Sequence, residues 1–152
     1  MNSLYTSVVI AEDHTLIRDG LRALISASPR YRIVAEAQDG LEALRSVREF
    51  EPDIVLMDLS MPTMNGIDAI RAIKRRRLET RLIALTIHNE PEYVHEALRS
   101  GASGYLLKDS SHQELLLALD TVANGRTYLS SGISSTVVNG YLNGGTTGSA
   151  QS

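Results

Sequence analysis

The sequence predicts an α/β fold, an open, doubly wound sheet of five parallel strands, (βα)5, with helices on both faces. Three observations carry that expectation. Five short apolar runs alternate with five segments whose apolar residues recur at helical period, and turn signals stand between them. Several of the runs are apolar almost throughout, as strands covered on both faces are. In such a series right-handed crossovers lay the strands parallel and put any site at their carboxyl ends.

The elements follow in order. Ser7 to Ala11 is the first strand, and Leu16, Leu21, Leu24 and Ile25 form the stripe of the first helix. Tyr31 to Ala37 is the second strand. The turn at Asp39-Gly40 leads into a helix striped by Leu41, Leu44 and Val47, which ends before Glu51-Pro52. Ile54 to Met57 follows as the third strand, and Asn65-Gly66 opens a helix carrying Ile67, Ile70 and Ile73. Leu82 to Thr86 is the fourth strand; beyond Asn89-Glu90-Pro91 lies the stripe Val94, Ala97 and Leu98. Ser100-Gly101 precedes the last strand, Gly104 to Leu107, and Leu115, Leu119 and Val122 mark the final helix.

Composition narrows the function. With 152 residues, 43% apolar and 22% charged, the chain suits one globular domain of ordinary size. No apolar run approaches the roughly 18 residues of a membrane span, and the start lacks a secretory signal, so no membrane association and a cytoplasmic location are expected. The absence of cysteine excludes a disulfide framework, a thiol nucleophile and a zinc-thiolate site. A net charge of -3 offers no basic face, so these residues are not expected to bind DNA themselves. Charge also divides the chain. All 18 acidic residues lie in 1–123, whereas 19 of the 29 residues in 124–152 are Gly, Ser, Thr or Asn, with Arg126 the only charge. The folded domain is therefore expected over 1–123, and 124–152 reads as a polar linker or tail with at most a short helix around 132–142.

The strand ends carry the chemistry. The first runs into Glu12-Asp13, the third into Asp58, the fourth into Thr86 and the fifth into Lys108. Alone, Glu12 and Asp13 suit a helix cap, Asp58 a turn, Thr86 a strand and Lys108 a solvated strand terminus. Gathered at one sheet edge, three acids form a pocket of negative charge that is stable only if a cation neutralises it or one acid protonates. An oxygen-only donor set suits Mg²⁺, with Mn²⁺ as a substitute. Lys108, one of two lysines against 13 arginines, supplies a compact cation for a phosphoryl oxygen, and the Thr86 hydroxyl a donor for another. Together they describe a phosphoryl acceptor. His14, His88, His95 and His112 have no pair at metal spacing and read as surface or helix-end residues.

Residues 6–123 resemble the receiver domain of a bacterial two-component response regulator. The motifs are Ala11-Glu12-Asp13-His14, Asp58-Leu59-Ser60-Met61-Pro62, Met64-Asn65-Gly66, Ala84-Leu85-Thr86 and Gly104-Tyr105-Leu106-Leu107-Lys108-Asp109. Gly101 to Asp109 further resembles the LuxR-type (NarL-like) branch of transcription regulators. The resemblance implies a flavodoxin-like fold in which Asp58 accepts phosphate from a sensor histidine kinase. It implies Mg²⁺ on Asp13, Asp58 and the Ser60 backbone carbonyl, with Glu12 acting through water, and a switch formed by Thr86 and Tyr105. It also implies homodimerisation on phosphorylation and DNA binding only through a helix-turn-helix domain absent from this chain. A phosphoacceptor with Mg²⁺-dependent self-phosphorylation and autodephosphorylation, rather than a turnover enzyme, is expected. Where the receiver pattern usually has a small residue after the switch hydroxyl, this chain has Ile87, an expected gate on access to Asp58.

Two other classes fit less well. An Asp-nucleophile phosphohydrolase normally carries a second acid two residues beyond the nucleophile, where Ser60 stands. A flavodoxin-like cofactor carrier needs a Gly- or Ser/Thr-rich phosphate loop after the first strand, where acids would repel the phosphate. Within the receiver reading, a stand-alone receiver acting by protein contact competes with part of a DNA-binding regulator.

Overall fold

The computed structural model describes residues 4–77, 79–131 and Ile133. The elements in order are β1 (Thr6–Ala11), α1 (Thr15–Ser26), β2 (Tyr31–Ala37), α2 (Gly40–Phe50), β3 (Ile54–Asp58), α3 (Gly66–Arg76), β4 (Arg81–Thr86), α4 (Pro91–Ser100), β5 (Gly104–Leu107), α5 (His112–Ala123) and β6 (Tyr128–Leu129). They form one parallel sheet in the order β2-β1-β3-β4-β5-β6. This is the doubly wound α/β fold expected, with one strand more than the five predicted. The sixth strand has two residues, too few to show alternation, and lies in a stretch of linker composition.

Period 2 along the strands sorts the core into two layers. Val9, Ala11, Val55, Met57, Leu82, Ala84, Tyr105 and Leu107 point to the side covered by α2, α3 and α4. Their neighbours Val8, Ile10, Ile54, Leu56, Ile83, Leu85 and Leu106 point to the side of α1 and α5. Both faces are buried, which is why the central strands read as unbroken apolar runs.

Local chemistry fixes the helix starts. Asp39, Asn65 and Ser111 cap α2, α3 and α5 by accepting the backbone N–H of Glu42, Asp68 and Glu114. Pro91 opens α4, where a missing N–H costs nothing. Packing against the sheet continues past α5. Tyr128 donates its N–H to the Ser103 carbonyl and Ser130 to that of Tyr105, while Ile133 is buried in the α2–α4 layer. The short helix expected around 132–142 falls, Ile133 apart, outside the described residues.

Candidate functional site: an acidic pocket at the strand ends

Strand order makes the site. The chain passes from β1 to β2 on one side and crosses to β3 on the other, so the carboxyl ends of β1 and β3 flank the crevice where winding reverses. Ala11 pairs with Met57, which sets Glu12 and Asp13 beside Asp58. Neither acid caps α1, whose N-cap is His14 with no capping side-chain bond.

Asp58 and Glu12 are buried and Asp13 is half-buried. Asp58 Oδ1 accepts the Ser60 N–H at 2.9 Å, and Oδ2 accepts Lys108 Nζ at 3.1 Å. The same ammonium lies 3.2 Å from Glu12 Oε1. Burial pushes the Asp58 carboxyl above its ordinary value; Glu12 adds to that push, while the Ser60 N–H and Lys108 oppose it. Burial works against the Lys108 ammonium too, but the bond to Asp58 and the charges of Asp58 and Glu12 hold it above the ordinary lysine value.

The donor set fits a hard cation. Carboxylate oxygens of Glu12, Asp13 and Asp58 and a nitrogen of His14 lie within 4.8 Å of one another. Glu12 Oε1 and Asp13 Oδ1 are buried and make no well-formed hydrogen bond among the described residues, their neighbouring nitrogens being Lys108 Nζ at 3.2 Å and His14 Nδ1 at 3.4 Å. An oxygen-seeking ion would satisfy both. His14 is the exposed helix-end residue expected, the N-cap of α1 with its side chain 64% exposed, and it also rims this pocket. Its backbone N–H donates to Glu12 Oε2 at 3.0 Å, and Nδ1 lies 3.1 Å from that oxygen and 3.4 Å from Asp13 Oδ1. The sequence signal was its place directly after the acid pair.

The other singled-out residues stand around this centre. Thr86 ends β4, buried, its hydroxyl accepting the His88 N–H at 3.1 Å. Tyr105 in β5 is fully buried and donates its hydroxyl to the His88 carbonyl at 2.8 Å. Burial raises the Tyr105 phenol well above its ordinary value, so it stays a donor. Ile87 is 74% exposed at the start of the β4–α4 loop. Ser60 meets Asp58 through its backbone. Gly66 closes the β3–α3 loop where a Cβ would stand 2.7 Å from the Asp58 carbonyl oxygen and 2.6 Å from Leu59 Cα, so only glycine allows that approach.

Residues 8–120 match the family model described as the response regulator receiver domain. The chain belongs to that family. This receiver is 36% identical over 129 residues to the transcriptional regulatory protein DegU of Brevibacillus brevis, covering 85% of this chain and 55% of that protein. It is 43% identical over 122 residues to the transcriptional regulatory protein YdfI of Bacillus subtilis, covering 80% and 57%. The chain thus spans little more than half the length of these curated relatives. Among solved structures it is similar to a LuxR-family two-component response regulator from Aurantimonas, with a TM-score of 0.85 at 36% identity over 91% of this chain and 99% of that one. The signal receiver domain of the response regulator NarL from Mycobacterium tuberculosis gives 0.79 at 38% identity, over 82% and 100%. Receivers act as phosphoacceptors for sensor histidine kinases and bind Mg²⁺ in an acidic pocket, and this chain carries such a pocket. No described helix is long and apolar enough to cross a membrane.

Proposed function

We propose that Asp58 accepts a phosphoryl group from the phosphohistidine of a sensor histidine kinase and that the acyl phosphate switches the β4–α4 face. A carboxylate oxygen of Asp58 bonds to phosphorus while the phosphorus–nitrogen bond breaks, and its electron pair stays on the donor imidazole. The transition state is loose, with charge spread over the equatorial oxygens, so positioned cations carry most of the stabilisation. Lys108 is one, held 3.1 Å from the acceptor carboxylate. Asp13, Asp58 and the Ser60 carbonyl would hold Mg²⁺, or Mn²⁺ in its place, with Glu12 acting through water; the ion would neutralise the acids and withdraw charge from phosphoryl oxygens.

The acyl phosphate brings about -1.5 to -2 charge and new acceptor oxygens, as phosphorylated side chains generally do. Thr86, one strand away, can turn its hydroxyl from the His88 N–H to that group. Its movement frees a backbone donor in the loop that Tyr105 grips through the His88 carbonyl, which couples the acceptor to α4. By likeness to DegU and YdfI, both transcriptional regulatory proteins, the output is control of transcription; the LuxR-type resemblance adds a helix-turn-helix domain outside these 152 residues and two copies meeting on phosphorylation. The observation that carries the acceptor reading is the buried Asp58 carboxylate, bonded to Lys108 with the carboxylates of Glu12 and Asp13 gathered beside it.

Incubation with Mg²⁺ and acetyl phosphate, read by intact mass, should add one phosphoryl group to the parent protein and none to Asp58→Asn. Equal labelling of the variant overturns the assignment.

A further inference from the structure

The acid pair is braced from behind by a charged relay that the acceptor chemistry does not itself require. Arg18, on the first turn of α1 and mostly buried, donates Nη1 to the main-chain carbonyl of Glu12 at 2.7 Å. Its Nε lies 3.2 Å from Glu36 Oε1 on β2. Glu36 in turn takes both oxygens to Arg22 Nη1 at 3.0 Å, one helical turn further along α1. On the other side of the same residue, the Glu12 N–H donates to the Ala37 carbonyl at 3.0 Å.

The carbonyl that Arg18 holds belongs to the peptide plane joining Glu12 to Asp13. The plane after Asp13 is tied as well, its His14 N–H donating to Glu12 Oε2 at 3.0 Å; with both flanking planes held, φ and ψ of Asp13 are set and its carboxylate keeps only its side-chain torsions. We propose that Arg18, anchored by Glu36, is a positioning residue that aims Asp13 into the divalent-ion pocket. The proposal rests on the receiver function argued above. Fixed donors matter because three acids held close together repel, and a loop free to rotate would turn Asp13 outward to solvent whenever the pocket is empty. A carbonyl held by a guanidinium that is itself salt-bridged resists that turn and spares the ion the ordering of its ligand.

Mn²⁺ binding, counted by the loss of free-ion electron paramagnetic resonance signal, tests this without phosphorylation. Arg18→Met keeps the chain length and loses the donors; its dissociation constant for Mn²⁺ should rise about tenfold, the lower end of what loss of an outer-sphere partner costs a metal site. Glu36→Gln, which leaves the guanidinium in place but neutralises its anchor, should weaken binding less. The double variant should be no worse than Arg18→Met alone, since both act through one contact. Arg18→Lys, which restores a single donor, should recover part of the loss. If folded Arg18→Met, checked by circular dichroism, binds Mn²⁺ as the parent does, Arg18 positions nothing and the inference is wrong. If Arg18→Met does not fold, parent-like binding by Glu36→Gln overturns it equally. A parent protein that binds no Mn²⁺ overturns the receiver reading along with it, and so separates the two failures.

Discussion

At the scale of single residues, Ile87 distinguishes this receiver from the pattern it otherwise follows. With 74% of its surface exposed it does not pack beneath α4 but stands in solvent at the start of the loop that follows the buried Thr86. A β-branched side chain has few rotamers and keeps what space it occupies. Water attacking an acyl phosphate on Asp58 must approach opposite the leaving oxygen, and an obstruction on that line slows hydrolysis without touching Lys108 or the acids. Ile87→Ala should therefore lose its phosphoryl group faster in the presence of Mg²⁺. An increase of about threefold, or ~0.7 kcal/mol of barrier, is the size expected of partial cover. The variant should fold as the parent does, because removing an exposed side chain costs little. A dephosphorylation rate unchanged from the parent would show that the side chain gates nothing.

At the scale of elements, the feature least expected is the hold that α5 keeps on the segment after it. Glu114 stands three residues after the cap Ser111, yet its carboxylate does not turn back to the cap. Its Oε2 accepts the Ser131 N–H at 2.6 Å and the Tyr128 hydroxyl at 2.7 Å, while Ser110 and Ser130 pair their hydroxyls at 2.9 Å. The Ser131 N–H is the main cause that pushes the Glu114 carboxyl down to about 2; burial opposes it and the Tyr128 hydroxyl adds to it. A carboxyl depressed on folding stabilises the fold above its unfolded value, near 4.5, and that stabilisation is lost as pH falls toward 2. Solvent screening at this partly exposed position limits it to about 1 kcal/mol. Urea unfolding at pH 7 and pH 3 should then differ less for Glu114→Gln than for the parent, and an unchanged difference would dissolve the clasp. Its absence from the sequence reading has a physical cause. The five long strands and five stripes announce themselves because each buries several residues at a fixed period, and the acids, Thr86 and Lys108 because they end those strands. Tyr128–Leu129 is too short for a period, and the partners Glu114–Ser131, Arg18–Glu36 and Tyr105–His88 meet only once the chain is folded.

At the scale of the whole molecule, the sheet concentrates its unfavourable charge where its winding reverses. Most acids lie on the surface, many of them in ion pairs such as Arg22 with Asp19 and Arg30 with Asp120, which screening makes nearly neutral to stability. The pocket differs: Glu12, Asp13 and Asp58 share a space in which Lys108 is the ammonium that answers them, and Glu12 Oε1 and Asp13 Oδ1 make no well-formed hydrogen bond among the described residues. Assembling such a cluster costs folding energy that an ion can return only while the strands hold the acids together, because the unfolded chain scatters them along 47 residues, from Glu12 to Asp58. Mg²⁺ should therefore stabilise the fold by mass action. At ten times its dissociation constant the gain is about 1.4 kcal/mol, a rise of a few degrees in Tm for a domain of this size. Asp13→Ala removes one ligand and part of the repulsion together. In chelator it should melt no lower than the parent, and in Mg²⁺ it should show little or none of the parent's rise. Ca²⁺ provides the comparison, since a larger ion that prefers more ligands should raise Tm of the parent less than Mg²⁺ does at equal concentration. A full Mg²⁺-dependent shift in Asp13→Ala would mean that the ion binds elsewhere on the molecule.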